Sequence, residues 1–207
     1  MATPDLLSRL LDVVEGDLAP LSRKRILEGD KIFGAAVLRK ADLSLVVAEV
    51  NNESVNPLWH GEIAAINAFF RLPADGRPDV KDCIFLATHE PCSLCLSGIT
   101  WSGFDNFYYL FSYEQTRDTF DIPHDIRILR EVFAVPDPGR DAVPEGRDFY
   151  NRSNAFFTSQ SITQLIAGLD RGTKERLIAR VDDITALYAE LSDIYQAGKG
   201  NKGIPLA

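Results

Sequence analysis

Cysteine is scarce in this chain: Cys83, Cys92 and Cys95 are the only three in 207 residues. So small and odd a number does not make a disulfide framework, and a chain of this length buries a sizeable core without covalent staples. No apolar run approaches the ~18 residues needed to cross a bilayer. The first five residues also lack the basic and apolar stretches of a secretory leader. The expectation is a cytoplasmic protein with no membrane span. Basic residues are short as well, since 22 Lys and Arg against 30 Asp and Glu leave a net charge of −8. That balance disfavours nucleic acid, whose phosphate backbone is bound tightly only by clustered cations that displace counterions. The densest basic cluster, Arg23-Lys24-Arg25, lies beside Glu28 and Asp30 and reads as a solvated helix face. Repeats and low-complexity tracts are missing, and the overall composition is that of an ordinary globular protein.

What is present is a regular alternation of elements. Leu6, Leu7, Leu10, Leu11, Val13 and Val14 recur at helical spacing behind Thr3 and Pro4, a cap and a first-turn proline. Two β-type runs, 32–38 and 43–50, flank a polar stretch and predict a hairpin. A helix is expected over 60–70, a strand over 83–88, a helix over 92–101 and an aromatic-rich strand over 106–111. This β-α-β order implies a parallel crossover. The predicted fold is α/β: three-layer α-β-α, with a mixed sheet and helices on both faces.

After Phe133 the composition shifts to Pro136, Pro138, Gly139, Pro144 and Gly146. A first domain is therefore expected over 1–133, and a linker with a helical carboxy-terminal appendage over 134–207. Within the appendage, Leu177, Val181, Ile184, Tyr188, Leu191 and Tyr195 mark one face of a helix from Thr173 to Gln196. Its plainer reading is packing onto the domain, and its sharper one a helix-mediated dimer.

Chemistry concentrates in His60, Cys92 and Cys95, each at the expected start of a helix. Imidazole and thiolate suit zinc, and three protein ligands leave a fourth tetrahedral position open, as in catalytic rather than structural sites. The partial positive charge of a helix N-terminus favours thiolates, and zinc brings the pKa of bound water toward neutrality, giving a hydroxide nucleophile. Glu62, two positions after His60, is near enough to carry protons without being a ligand. Cys83, inside the apolar strand, reads as a small core residue. A thioredoxin-like redox pair would explain Cys92 and Cys95 but would leave His60 and Glu62 without a role.

His60-Gly61-Glu62 followed by Pro91-Cys92-Ser93-Leu94-Cys95 resembles the H-x-E…P-C-x-x-C signature of the zinc deaminases of the cytidine deaminase superfamily. Trp101-Ser102-Gly103 is similar to the branch that holds guanine, cytosine and tRNA-adenosine deaminases, and the likeness covers roughly residues 30–133. The resemblance implies one Zn2+ per chain on His60, Cys92 and Cys95, with Glu62 as acid and base. It further implies that backbone amides near Cys92 help fix the attacking oxygen, a loop asparagine (Asn51 or Asn52) contacts the base, and His89 and Glu90 line the approach. Trp59 stands where the family has a small residue and would shape the pocket or join the core. The expected reaction is hydrolytic deamination of a free nucleobase or nucleoside, guanine or cytosine first, with ammonia released. The expected partner is a small aminated heterocycle, and the expected assembly a homodimer. A tRNA adenosine deaminase and a non-catalytic zinc-stabilised interaction module remain as alternatives.

Overall fold

The computed structural model describes residues 3–131, 146, 148, 150, 152–153 and 157–198. The prolines and the glycine of the expected linker at 136–144 lie outside them. The amino-terminal helix α1, Pro4–Val13, begins as its sequence requires: Thr3 Oγ1 accepts from Leu6 N at 3.2 Å, with Pro4 in the first turn. It passes through a π-helical turn, Val14–Leu18, into α2, Ala19–Ile26. The hairpin follows as β1, Gly34–Arg39, and β2, Leu45–Val50, paired antiparallel.

Then come α3, Gly61–Arg71; β3, Cys83–His89; α4, Ser93–Trp101; and β4, Asn106–Phe111. After β4 the chain forms α5, Tyr113–Asp118, and α6, His124–Glu131, and later β5, Thr158–Ser161, α7, Ile162–Ala167, and α8, Arg171–Gly198. The sheet runs β2-β1-β3-β4-β5, with β1 antiparallel to both its neighbours and β3, β4 and β5 parallel.

Side chains of successive strand residues point to opposite faces, and this period of two divides the core. Ala35 and Val37 of β1, with Phe85 and Ala87 of β3, join Ala65 and Phe69 of α3 and Ile99 of α4. Ala36, Leu38, Ile84 and Leu86 face the other way, onto Leu7, Leu10 and Leu11 of α1 and Ile184, Tyr188 and Leu191 of α8. The result is the three-layer α-β-α arrangement expected from the pattern. The long carboxy-terminal helix packs onto the domain, burying Leu177, Ile184, Tyr188, Leu191 and Tyr195. The strand β5 has no apolar pattern to reveal it: its sequence is Thr-Ser-Gln-Ser, and it forms by pairing with β4.

One close approach sets the height of α3 above the sheet. A Cβ on Gly61 would lie 2.6 Å from Gly34 Cα, so the first residue of α3 rests directly on the first residue of β1. Thr88 holds Gly34 from β3, its Oγ1 accepting from Gly34 N at 2.9 Å and donating to Gly34 O at 3.2 Å. Helix α3 is thereby referenced to two strands at the point where it begins.

Candidate active site

His60 and Cys92 are the N-cap residues of α3 and α4, with extended backbone before each helix starts. Cys95 lies one turn into α4, so Cys92 and Cys95 share a helix face by their spacing of three. The three ligand atoms converge: Cys92 Sγ is 3.4 Å from His60 Nδ1 and 3.6 Å from Cys95 Sγ, and Cys95 Sγ is 3.6 Å from His60 Nδ1. Zinc held tetrahedrally at ~2.3 Å from sulfur and ~2.0 Å from nitrogen requires S···S near ~3.8 Å and S···N near ~3.6 Å. The observed triangle matches these edges to within about 0.2 Å. Among the described residues, these three form the one group of histidine, cysteine and carboxylate side chains converging in this way. They are positioned for zinc, and the donor set of two sulfurs and one imidazole fits it.

The electrostatics of the three ligand side chains follow from this crowding. The Cys92 thiol is held well below its ordinary range, chiefly by the hydrogen bond with Cys95 and, against the cost of burial, by His60. Cys95 is pushed well above it, first by burial and then by Cys92. Burial opposes charge on His60, but the Cys92 sulfur prevails and raises its imidazole to about 9. Glu62 is buried, and its Oε2 lies 3.3 Å from Cys95 Sγ. Burial, reinforced by Cys92, pushes its carboxyl up to about 7.

A cavity of ≈300 Å3 opens against this centre. His60 and Cys92 form one end of its lining, apolar side chains including Phe33, Leu58 and Ile122 form its walls, and Lys31, Glu53 and Asp125 supply charge. Asp125 keeps part of its surface exposed, yet its carboxyl is buried. That burial and the Cys92 sulfur raise it to about 7. Lys31, Glu53 and Asp125 carried no signal in the sequence, because they belong to no motif and meet only in three dimensions.

The residues expected to contact substrate are placed as follows. Asn51 is fully buried; its Oδ1 accepts from Gly61 N at 2.6 Å and its Nδ2 donates to Glu53 Oε2 at 3.0 Å. It therefore satisfies an orphan amide at the start of α3. Asn52 and Trp59 close the loop against each other through Asn52 N and Trp59 O at 2.8 Å, and the Trp59 ring is half-buried. His89 is packed among Phe33, Phe111, Phe120 and Tyr188, with Nδ1 2.9 Å from Thr88 Oγ1. Glu90 is buried and receives Arg152 at 2.7 Å, the Tyr150 hydroxyl at 2.9 Å and Tyr113 N at 3.1 Å. None of these five side chains lines the cavity. Cys83 is a buried strand residue whose thiol burial pushes up to about 11.

Residues 18–111 match the family model for the cytidine and deoxycytidylate deaminase zinc-binding region. That segment belongs to the cytidine deaminase-like superfamily. A solved structure shares the fold: a mutant of NE0047 in complex with 8-azaguanine is 20% identical, with a TM-score of 0.51 over 92% of this chain and 85% of that chain. The guanine deaminase from Nitrosomonas europaea is 20% identical at a TM-score of 0.46, with 90% of this chain and 86% of that chain covered. For the guanine deaminase from Bacillus subtilis the values are 22% and 0.46, with 63% and 80% covered. No curated protein sequence matches the chain. The match of residues 18–111 to a zinc-binding deaminase region supports deaminase activity. Among the described residues, no helix is long and apolar enough to cross a membrane.

Proposed function

We propose that this protein is a zinc-dependent hydrolytic deaminase of a free nucleobase or nucleoside, with guanine and cytosine as the first substrates to try. The observation that carries the reading is geometric. A ligand triangle with the edges of a tetrahedral zinc site has the buried Glu62 carboxylate alongside it and a cavity of base-accommodating size in front of it. A purely structural metal site normally closes with a fourth protein ligand and has no use for such a carboxylate. The fold neighbour bound to 8-azaguanine is compatible with a purine-like ring in the cavity.

His60 Nδ1 and the Cys92 and Cys95 sulfurs would hold the metal. Zinc, when bound, supplies the Lewis acidity that makes water a competent nucleophile near neutral pH. Glu62 takes one proton of the attacking water at a carboxylate oxygen and passes it to the ring nitrogen beside the amino-bearing carbon; it then takes the second proton from the newly added hydroxyl and delivers it to the amino group, so that the carbon–nitrogen bond breaks, ammonia leaves and a carbonyl remains. The backbone at Cys92, fixed by Leu96 N donating to Cys92 O at 2.8 Å, keeps the start of α4 against the reacting carbon. Apolar walls from Phe33, Leu58, Leu94 and Ile122 exclude bulk water from the ring.

The test is ammonia release by zinc-loaded protein across a panel of aminated bases and nucleosides, run beside Glu62→Gln. The variant should keep zinc and lose roughly 100- to 10,000-fold in kcat. Zinc-loaded protein that releases ammonia from no member of the panel would overturn the reading. In the same series, tRNA binding at low salt is expected to be absent.

A further inference from the structure

The cavity wall away from the zinc ligands holds a lysine that the proposed chemistry does not use. Lys31 is 6% exposed, just ahead of β1, and borders the cavity. Among the described residues its Nζ makes a single hydrogen bond, to Glu53 Oε1 at 2.6 Å. An ammonium carries three N–H donors, so two are left without a recorded protein acceptor beside the cavity. Leaving buried donors unmatched is costly, and the side chains of Phe33, Pro57 and Ile122 on the neighbouring wall carry no acceptor for them.

Glu53 is already committed. Its Oε1 takes the Lys31 ammonium, and its Oε2 accepts from Lys31 N at 3.1 Å and from Asn51 Nδ2 at 3.0 Å. Through Asn51 Oδ1 and Gly61 N, at 2.6 Å, the same chain of bonds reaches the first residue of α3, next to His60. Lys31 is thus registered against the helix that carries a zinc ligand. Glu53 and Asn51 are positioning residues in this arrangement, and the ammonium is the group with bonding capacity to spare.

We propose that Lys31 is the specificity residue of the cavity, its ammonium donating to an exocyclic oxo oxygen of an amino-oxo heterocycle whose amino-bearing carbon lies at the His60–Cys92 end. This assignment rests on the deaminase reading and narrows its substrate class. A neutral oxo group fits better than a phosphate or carboxylate, because Glu53 already balances the lysine charge and the Asp125 carboxyl borders the same space. Rings with an amino group but no oxo group would strand the two donors, which is the situation in which a polar site discriminates most strongly.

The test compares binding of guanine with 2-aminopurine, and of cytosine with 4-aminopyrimidine, to zinc-loaded Glu62→Gln protein, which holds the ring without turning it over. The members of each pair differ by the oxo group. Lys31→Met alone would strand the Glu53 carboxylate in the interior and can fail to fold. The informative variant is therefore Lys31→Met with Glu53→Gln, which removes both charges together, checked for native circular dichroism and zinc content. In the Glu62→Gln background the oxo ligand of at least one pair should bind roughly 10- to 100-fold tighter than its partner, and the double substitution should erase that preference. Equal binding within both pairs, no binding of any ring, or a preference that survives the double substitution overturns the assignment. Ammonia release by the unmodified protein reports separately on the underlying reading. A Lys31-dependent preference without ammonia from any substrate would sink the deaminase function and leave the recognition site standing. Ammonia without the preference would do the reverse.

Discussion

At one end of the cavity, His60 and Cys92 are the N-caps of two helices, and Cys95 follows one turn later, so local helix geometry sets the Cys92–Cys95 edge of the ligand triangle and the packing of α3 beside α4 brings His60 to both sulfurs. At the other end, Lys31 precedes β1, Glu53 sits in the loop after β2, and Asp125 opens α6, with 94 positions between the first and the last. The first end has the spacing of a motif, and the second has none. The contrast teaches that reaction chemistry, which demands fixed atoms at fixed distances, is compressed into short sequence patterns. Recognition of the rest of a ring is assembled from whatever side chains the fold brings opposite.

If the zinc end is where bonds are made and broken, disturbing it should be catastrophic. Cys95→Ala is expected to lose zinc, read by metal analysis, and to abolish ammonia release, with chelation of the unmodified protein doing the same and added zinc restoring activity only there. Retained stoichiometric zinc in Cys95→Ala would break the distinction between the two ends. Next in size is the fall of roughly 100- to 10,000-fold in kcat for Glu62→Gln at unchanged zinc content; a normal kcat would assign the proton carrier to another residue.

A smaller effect probes how the zinc end is mounted. In Gly61→Ala the new Cβ would meet the Gly34 backbone at 2.6 Å, so α3 must lift from β1 or the strand must shift. A loss of about 1–3 kcal/mol in denaturant-measured stability is expected from such overpacking. Zinc affinity should fall with it, because His60 is the adjacent residue. Full stability in this variant would show that the contact does not fix the height of α3.

The smallest effect lies behind the site. Burial pushes the His89 imidazole from its ordinary 6.5 down to about 3, so the fold accepts only the neutral ring. A depressed pKa contributes stability that is whole above pH 6.5 and is lost as the pH falls from there toward 3. His89→Leu should therefore show a shallower loss of stability than the unmodified protein between pH 7 and 5, measured by denaturant titration at each pH. Parallel curves would place the acid sensitivity in another group.

Much of the layered core was legible because its signals are local. The continuous apolar runs in 34–38 and 83–88 mark strands buried on both faces, and the stripe from Leu177 to Tyr195 defines the buried face of α8. The strand β5 was not legible: Thr158–Ser161 is polar, and only the edge offered by β4 makes it a strand. The same limit applied to the substrate residues. Asn51, expected as a ligand-contacting loop asparagine, bonds Gly61 N and Glu53 through its amide, and those bonds were not readable in advance. Glu90, expected to line the approach, binds Arg152 and Tyr150.

The sequence by itself pointed to the metal, to the residues that would hold it and to the carboxylate beside them, through two short motifs whose internal spacing follows from helix geometry; the fold closes the distance between the two motifs. It also pointed to the layers, since apolar strands alternating with helices imply a sheet covered on both faces. Only the tertiary structure decided what faces the zinc ligands across the cavity. Lys31, Glu53 and Asp125 are distant in the chain, and their approach depends on the sheet order, on the contact of Gly61 with Gly34, and on the turn that carries α6 back over the site. No local period encodes those relations, because they are set by the packing of whole elements.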